Sequence, residues 1–295
     1  MKRNIPVFLI IFVFLFTLTS CSAVKRIAGG GGKDKEQSLN EGPPQQMLNM
    51  EKDLEKLADK VEGQVLKTPE EQSGQQPKNQ SGGSKDQSSG GKIGADGEKG
   101  TSGKQQSEEQ PQQAPQQNPN DISEMLPDLE KGIGNLHKTW NGSQPELLKR
   151  GADKKVIDVA SEALNEATTT LDSKNGLAFL KALNGFYRYM PELEEKMEPQ
   201  TPPGLMRLTY YARDILYSTF SNETQTANDD MDMIQEEWAA VKPQLKKGGE
   251  DEINRMEVSI DELKNSLDEQ NKNLIKIKAD IVLDDIRTLK AKQKK

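Results

Sequence analysis

The chain has one cysteine and one histidine in 295 residues, and aromatic residues make up only 5% of it. A lone cysteine excludes a disulfide within the chain. A lone histidine excludes the di-metal centre of helical bundles, which takes a Glu-x-x-His motif from each of two helices. Basic residues are outnumbered, 40 Lys and Arg against 47 Asp and Glu, for a formal net charge of −7. That balance argues against a general nucleic-acid surface, which takes a basic face. Apolar residues are scarce too, at 33%, and many of them fall in the first twenty positions. A chain this polar cannot bury enough surface to offset its conformational entropy along its whole length. Its glycine clusters follow no strand pattern, so no nucleotide-binding loop is indicated. No serine or cysteine motif surrounds His137, which reads as a structural or exposed side chain. Nothing points to an enzyme, a cofactor or a metal.

What the chain has begins with its first 21 residues. Lys2 and Arg3 precede an apolar run from Ile5 to Leu18. The run is short for a bilayer span and suits the central region of a signal peptide. It closes on Leu18-Thr19-Ser20-Cys21. These four residues resemble the lipobox of bacterial lipoproteins: an aliphatic residue, two small residues, then cysteine. The resemblance implies a diacylglyceryl group on the Cys21 thiol, cleavage before Cys21 and attachment to the outer face of a cell membrane. It covers the leader alone. Loss of the leader leaves 38 basic against 47 acidic residues.

From about 29 to 120 the chain is built of Gly, Ser, Gln, Lys, Glu and Pro. This composition predicts a low-complexity tether without a packed core. About 92 residues of flexible coil reach on the order of 50 Å in root-mean-square extent. One island interrupts it: Met47, Met50, Leu54, Leu57 and Val61 recur at helical spacing in "MLNMEKDLEKLADKV". A helix near 45–62 is expected, either packed back on the main domain or offered to a partner. The organisation read from composition is therefore a signal peptide at 1–20, a tether at 21–120 and a folded domain at 121–295.

The folded part shows helical periodicity throughout, so the fold class expected is all-α, an antiparallel bundle of about five helices. Helix one, about 121–140, aligns Ile122, Leu126, Leu129, Ile133, Leu136 and Trp140, and Asn141-Gly142 reads as its stop. Helix two, about 145–172, carries Val156, Ala160, Leu164, Ala167 and Leu171. Helix three, about 175–197, carries Leu180, Leu183, Tyr187, Met190 and Met197. Helix four opens at Pro203, weakens near 221–228 and resumes through Met231, Ile234, Trp238 and Val241. The last helix reads as one long heptad seam: Ile253, Met256, Ile260, Leu263, Leu267, Gln270, Leu274, Ile277, Ile281. Gln270 is then its single polar position, and the seam predicts pairing along roughly 42 Å. Every helix offers a stripe to its own chain, so a monomer is expected.

Two clusters invite a functional reading. Asn228–Glu237 gathers carboxylates but lacks the glycine of an EF-hand loop, and a solvated helix face is the default. All five tyrosines lie between Tyr187 and Tyr217. On helix four, Met206, Tyr210, Arg213 and Tyr217 fall almost opposite the core stripe. Either this helix is central and packed on both sides, or the second face binds a partner or ligand, since Tyr and Arg are enriched at recognition surfaces. The functional expectation is a non-catalytic interaction or envelope-structural role, with an envelope protein or the cell wall as partner. A ligand-binding module holding a small molecule or cell-wall fragment is the alternative.

Overall fold

Asp153, Asn175 and Asn271 each accept hydrogen bonds from backbone amides two or three residues on. Each is an N-cap, and between such punctuation marks the chain is helical. The computed structural model describes residues 43–67, 118, 120–197, 199, 201–245 and 249–294. The leader, Cys21 and most of the expected tether lie outside the described residues. Within them run nine α-helices: α1 (Gln45–Val65), α2 (Leu126–Lys149), α3 (Lys154–Thr170), α4 (Gly176–Tyr187), α5 (Met190–Glu195), α6 (Gly204–Ser221), α7 (Thr224–Val241), α8 (Glu250–Asp268) and α9 (Lys272–Gln293). No strand occurs among them beyond an isolated bridge between Asp121 and Asn175. The fold is all-α, as the periodicity indicates.

The bundle is a set of hairpins gathered around α6. Helices α3 and α4, α6 and α7, and α8 and α9 pair as sequence neighbours, and α6 also packs on α4 and α9. Twelve of the 18 residues of α6 are buried, far more than a single apolar stripe supplies, which makes it the central helix.

The first helical boundary differs from the sequence reading. Asn141-Gly142 does not stop the helix, and α2 runs through Pro145 to Lys149. Its buried positions, Leu129, Ile133, Leu136, Trp140, Ser143 and Leu147, continue at steps of four and three across the supposed break. Burial of that stripe outweighs the cost of a helix-interior proline. The true break is at Gly151, where φ is +88°, a conformation glycine adopts without strain.

The long C-terminal helix is a hairpin. Gln270 is not a polar seam position: it adopts φ +54°, and Asn271 then caps α9. The seam residues Ile253 to Leu267 do serve α8. On α9, however, the buried face is Ile275, Ala279, Val282, Leu283, Ile286 and Leu289, while Ile277 and Ile281 face solvent. Reversing the chain at Gln270 resets the helical phase, so a seam drawn straight through it lands on the wrong side.

The helix at 45–65 belongs to the bundle. Its buried residues, Met47, Met50, Leu54, Ala58, Val61 and Val65, recur at the 3.6-residue period of one helix face. They lie against α2 and α4. The folded unit therefore begins near residue 43 rather than at Asp121, and 68–117 connects two parts of one core. Gly176 records how closely α1 approaches: a Cβ there would stand 2.4 Å from Val65 and 2.6 Å from Ile122.

The turn at Gln270 gives a direct test. Gln270→Gly relieves a left-handed residue and is expected to raise the denaturation midpoint, by up to about 1 kcal/mol. In an unbroken helix the same change costs roughly 1 kcal/mol. A fall of that size in chemical denaturation would restore the continuous helix.

Candidate functional site

The residues singled out on α6 do not form an exposed face. Met206, Arg213 and Tyr217 are buried and only Tyr210 is partly accessible. What covers Arg213 and Tyr217 is the chain's own α1. Arg213, 2% exposed, donates from Nη2 to Asp59 Oδ1 at 2.8 Å and holds Glu62 Oε1 3.3 Å from its Nε. The Tyr217 hydroxyl donates to the same Glu62 oxygen. Arg287 of α9 reaches Asp59 at 2.9 Å. These contacts raise the Arg213 pKa: burial disfavours the cation, but Tyr217, Glu62 and Asp59 more than offset it. The aromatic-cationic face is the seat of α1, and α6 is packed on both sides.

A second polar cluster lies nearer the start of α1. Lys290 is 8% exposed. Its Nζ donates to Glu51 Oε1 at 2.8 Å, to Glu55 Oε1 at 3.4 Å and to the Tyr187 hydroxyl at 3.2 Å. Burial works to raise the Glu51 pKa, but the Lys290 charge prevails and holds it below the usual carboxylate value. Burial raises the Tyr187 hydroxyl well above its ordinary value. Tyr187 is thus a neutral hydrogen-bonding group, not a base.

Beside this cluster is a cavity of about 430 Å³, within the range of small-molecule sites. Met206, Leu48 and Pro44 form apolar parts of its wall. Glu51, Lys290, Glu194 and Thr201 contribute polar groups. Glu194, at the end of α5, is 4% exposed, and its Oε1 has no hydrogen-bond partner among the described residues. The Thr201 hydroxyl is likewise buried and unpartnered. Burial, then the charge of Glu51, pushes the Glu194 carboxyl up to about 7. Lys52 and Lys294 are exposed and line the same cavity.

The carboxylate run at 228–237 is not wholly solvated. Asp230 is 8% exposed, and burial, followed by the Asp214 carboxylate beside it, pushes its pKa up to about 8. His137 bonds to the Thr168 hydroxyl at 2.8 Å, a contact between α2 and α3. Among the described residues no group of three or more His, Cys, Asp or Glu side chains converges as a metal site. None of the described helices is long and apolar enough to cross a membrane.

Sequence reasoning named Met206 among the candidates but missed Glu194, Thr201 and Lys290, because they come from three separate segments and carry no local motif. The unusual density of Tyr and Arg on helix four coincides with the central helix of the bundle. Comparison with protein families, curated proteins and solved structures finds no match for this chain.

Two outcomes test these assignments. Arg213→Met leaves Glu62 buried against a lost partner and is expected to cost about 3–5 kcal/mol in chemical denaturation. Adding Glu62→Gln should recover part of that loss. A cost below about 0.5 kcal/mol would mean that α1 does not seat here. Asp230 keeps its proton in the native state up to about pH 8, whereas unfolding releases it above pH 4. Stability therefore falls as pH rises between those values. Asp230→Asn should flatten this slope, melting above the parent at pH 8 and level with it at pH 4. Parallel pH profiles would show Asp230 to be ionised in the fold.

Proposed function

We propose that the chain is a bacterial lipoprotein, fixed by lipid at Cys21 to the extracytoplasmic face of a cell membrane. On this reading its bundle has a non-catalytic interaction or envelope-structural role. Leu18-Thr19-Ser20-Cys21, closing an apolar run behind Lys2 and Arg3, is the observation that carries the anchoring. Two or three acyl chains hold a protein durably where one does not. The role of the bundle is supported by how its buried polar groups are employed. Arg213, Tyr217, Lys290 and Glu51 are engaged with one another or with Asp59 and Glu62 across helices, and what they do is hold α1 in place.

Seating α1 in the bundle alters the geometry of the anchor. Only residues 22–44 separate Cys21 from α1. Twenty-three residues span at most about 80 Å, against roughly 300 Å for the 92 residues of a tether at 29–120. On this reading the domain is held closer to the lipid surface than that tether implies.

A second reading, a ligand-binding module, is favoured by one observation: a small-molecule-sized cavity with a buried carboxyl oxygen that has no hydrogen-bond partner among the described residues. The anchoring is tested by the intact mass of the N-terminal peptide from membrane-derived protein. It should begin at Cys21 and carry a diacylglyceryl group, and Cys21→Ser should leave the membrane fraction. An unmodified Cys21 overturns the proposal.

A further inference from the structure

The cavity between the start of α1, the end of α5 and the end of α9 has a chemical polarity. At its inner side, Glu51 is matched by Lys290 at 2.8 Å, and Glu194 Oε1 is left with nothing. The charges of Lys290 and Lys294 reach Glu194, but a buried carboxylate oxygen without a hydrogen bond is costly. Among the described residues the cavity thus lacks a hydrogen-donating group on Glu194 Oε1, and the unpartnered Thr201 hydroxyl adds an acceptor for a second donor. At its accessible side stand Lys52 and Lys294, two ammonium groups suited to an anion. Between these ends, Leu48, Met206 and Pro44 supply an apolar wall. Glu194 inside, the two lysines at the accessible side and apolar surface between define the complement of the site; the other cations of its wall, Lys290 and Arg150, are paired with Glu51 and Glu146.

We infer that this cavity binds a small zwitterion with an apolar body, a free amino acid or short peptide, its ammonium against Glu194 and Thr201 and its carboxylate toward Lys52 and Lys294. The inference rests on the ligand-binding reading and gives that reading a ligand class. The ammonium supplies Glu194 with the partner that the fold withholds and donates to Thr201 as well. The carboxylate stays at the mouth, where pairing with exposed lysines orients the ligand more than it adds affinity. The Lys290–Glu51 pair forms part of the inner wall and leaves Glu194 as the acid to be neutralised.

The test is isothermal titration of the full chain in detergent with three probes of one shape: the dipeptide Leu-Leu, its N-acetyl derivative and its C-terminal amide. Leu-Leu should bind saturably. N-acetylation should weaken it at least tenfold, and amidation by a smaller factor. Glu194→Gln keeps the shape of the side chain and should weaken Leu-Leu at least tenfold without changing the affinity for the N-acetyl form. Lys294→Glu, at an exposed position where folding is not at stake, should weaken Leu-Leu but not its amide. Equal binding of the N-acetyl form and Leu-Leu would overturn the zwitterion while leaving a ligand-binding module standing. Absence of saturable binding by all three probes at millimolar concentration would overturn both.

Discussion

A buried guanidinium has to be paired, and Arg213 is paired by a helix more than 150 residues away in sequence. Removing such a charge from water costs several kcal/mol, which good geometry and charge partners must return. Asp59 and Glu62 do so from α1, with Tyr217 adding a hydrogen bond to Glu62. Much of the architecture follows. Helix α6 can be central only if its second face is covered. That face carries Arg213 and Tyr217, so the cover has to bring acids as well as apolar side chains. Helix α1 brings both, on one turn pattern: Leu54, Ala58 and Val61 toward the core, Asp59 and Glu62 toward the guanidinium.

The same logic explains why α1 is stable where it is. An isolated helix of 21 residues with this composition has few reasons to persist in water. Its seat supplies apolar burial along α2 and α4 and ion pairs from α6 and α9. The pair with Arg213 also sets its register. A slide by one turn would carry Glu62 away from Arg213, whereas Glu51 and Glu55, one turn apart, would still leave Lys290 an acid. Buried charge pairs are weak evidence for net stability, but they discriminate strongly between registers.

The helical class was legible because apolar periodicity survives in almost every segment. The boundaries that were misread share one cause, which is that local signals were weighed without the packing that decides them. Asn141-Gly142 and Pro145 are helix breakers by propensity, yet Ser143 and Leu147 continue a buried stripe and the helix continues with them. At Gln270 the reverse holds: a regular apolar pattern crosses a residue that turns the chain. A local sign was present there. Lys174-Asn175 and Gln270-Asn271 are the same device, a left-handed residue followed by an asparagine N-cap. The second is hidden because Gln270 falls at a polar position of an even heptad rhythm. The aromatic-cationic face was visible as a set but not its occupant, since no periodicity in 45–65 says which acids meet Arg213. Glu194 was invisible, because its isolation is a property of three helix ends meeting and not of any sequence neighbour.

The position of the cavity joins these strands. Pro43 and Pro44 line it, and they are the residues through which the chain passes from the proposed anchor into α1. Lys290 and Glu51 serve both features: together they pin the first half of α1 and form the inner wall beside Glu194. Occupancy of the cavity and seating of α1 therefore share a set of atoms. A cation placed against Glu194 adds positive charge near Glu51, which already draws its low pKa from Lys290. Glu51 then gains a positive neighbour beyond Lys290 and Lys294. By linkage, if the proposed ligand binds the seated form of α1 better, seating favours that ligand to the same degree.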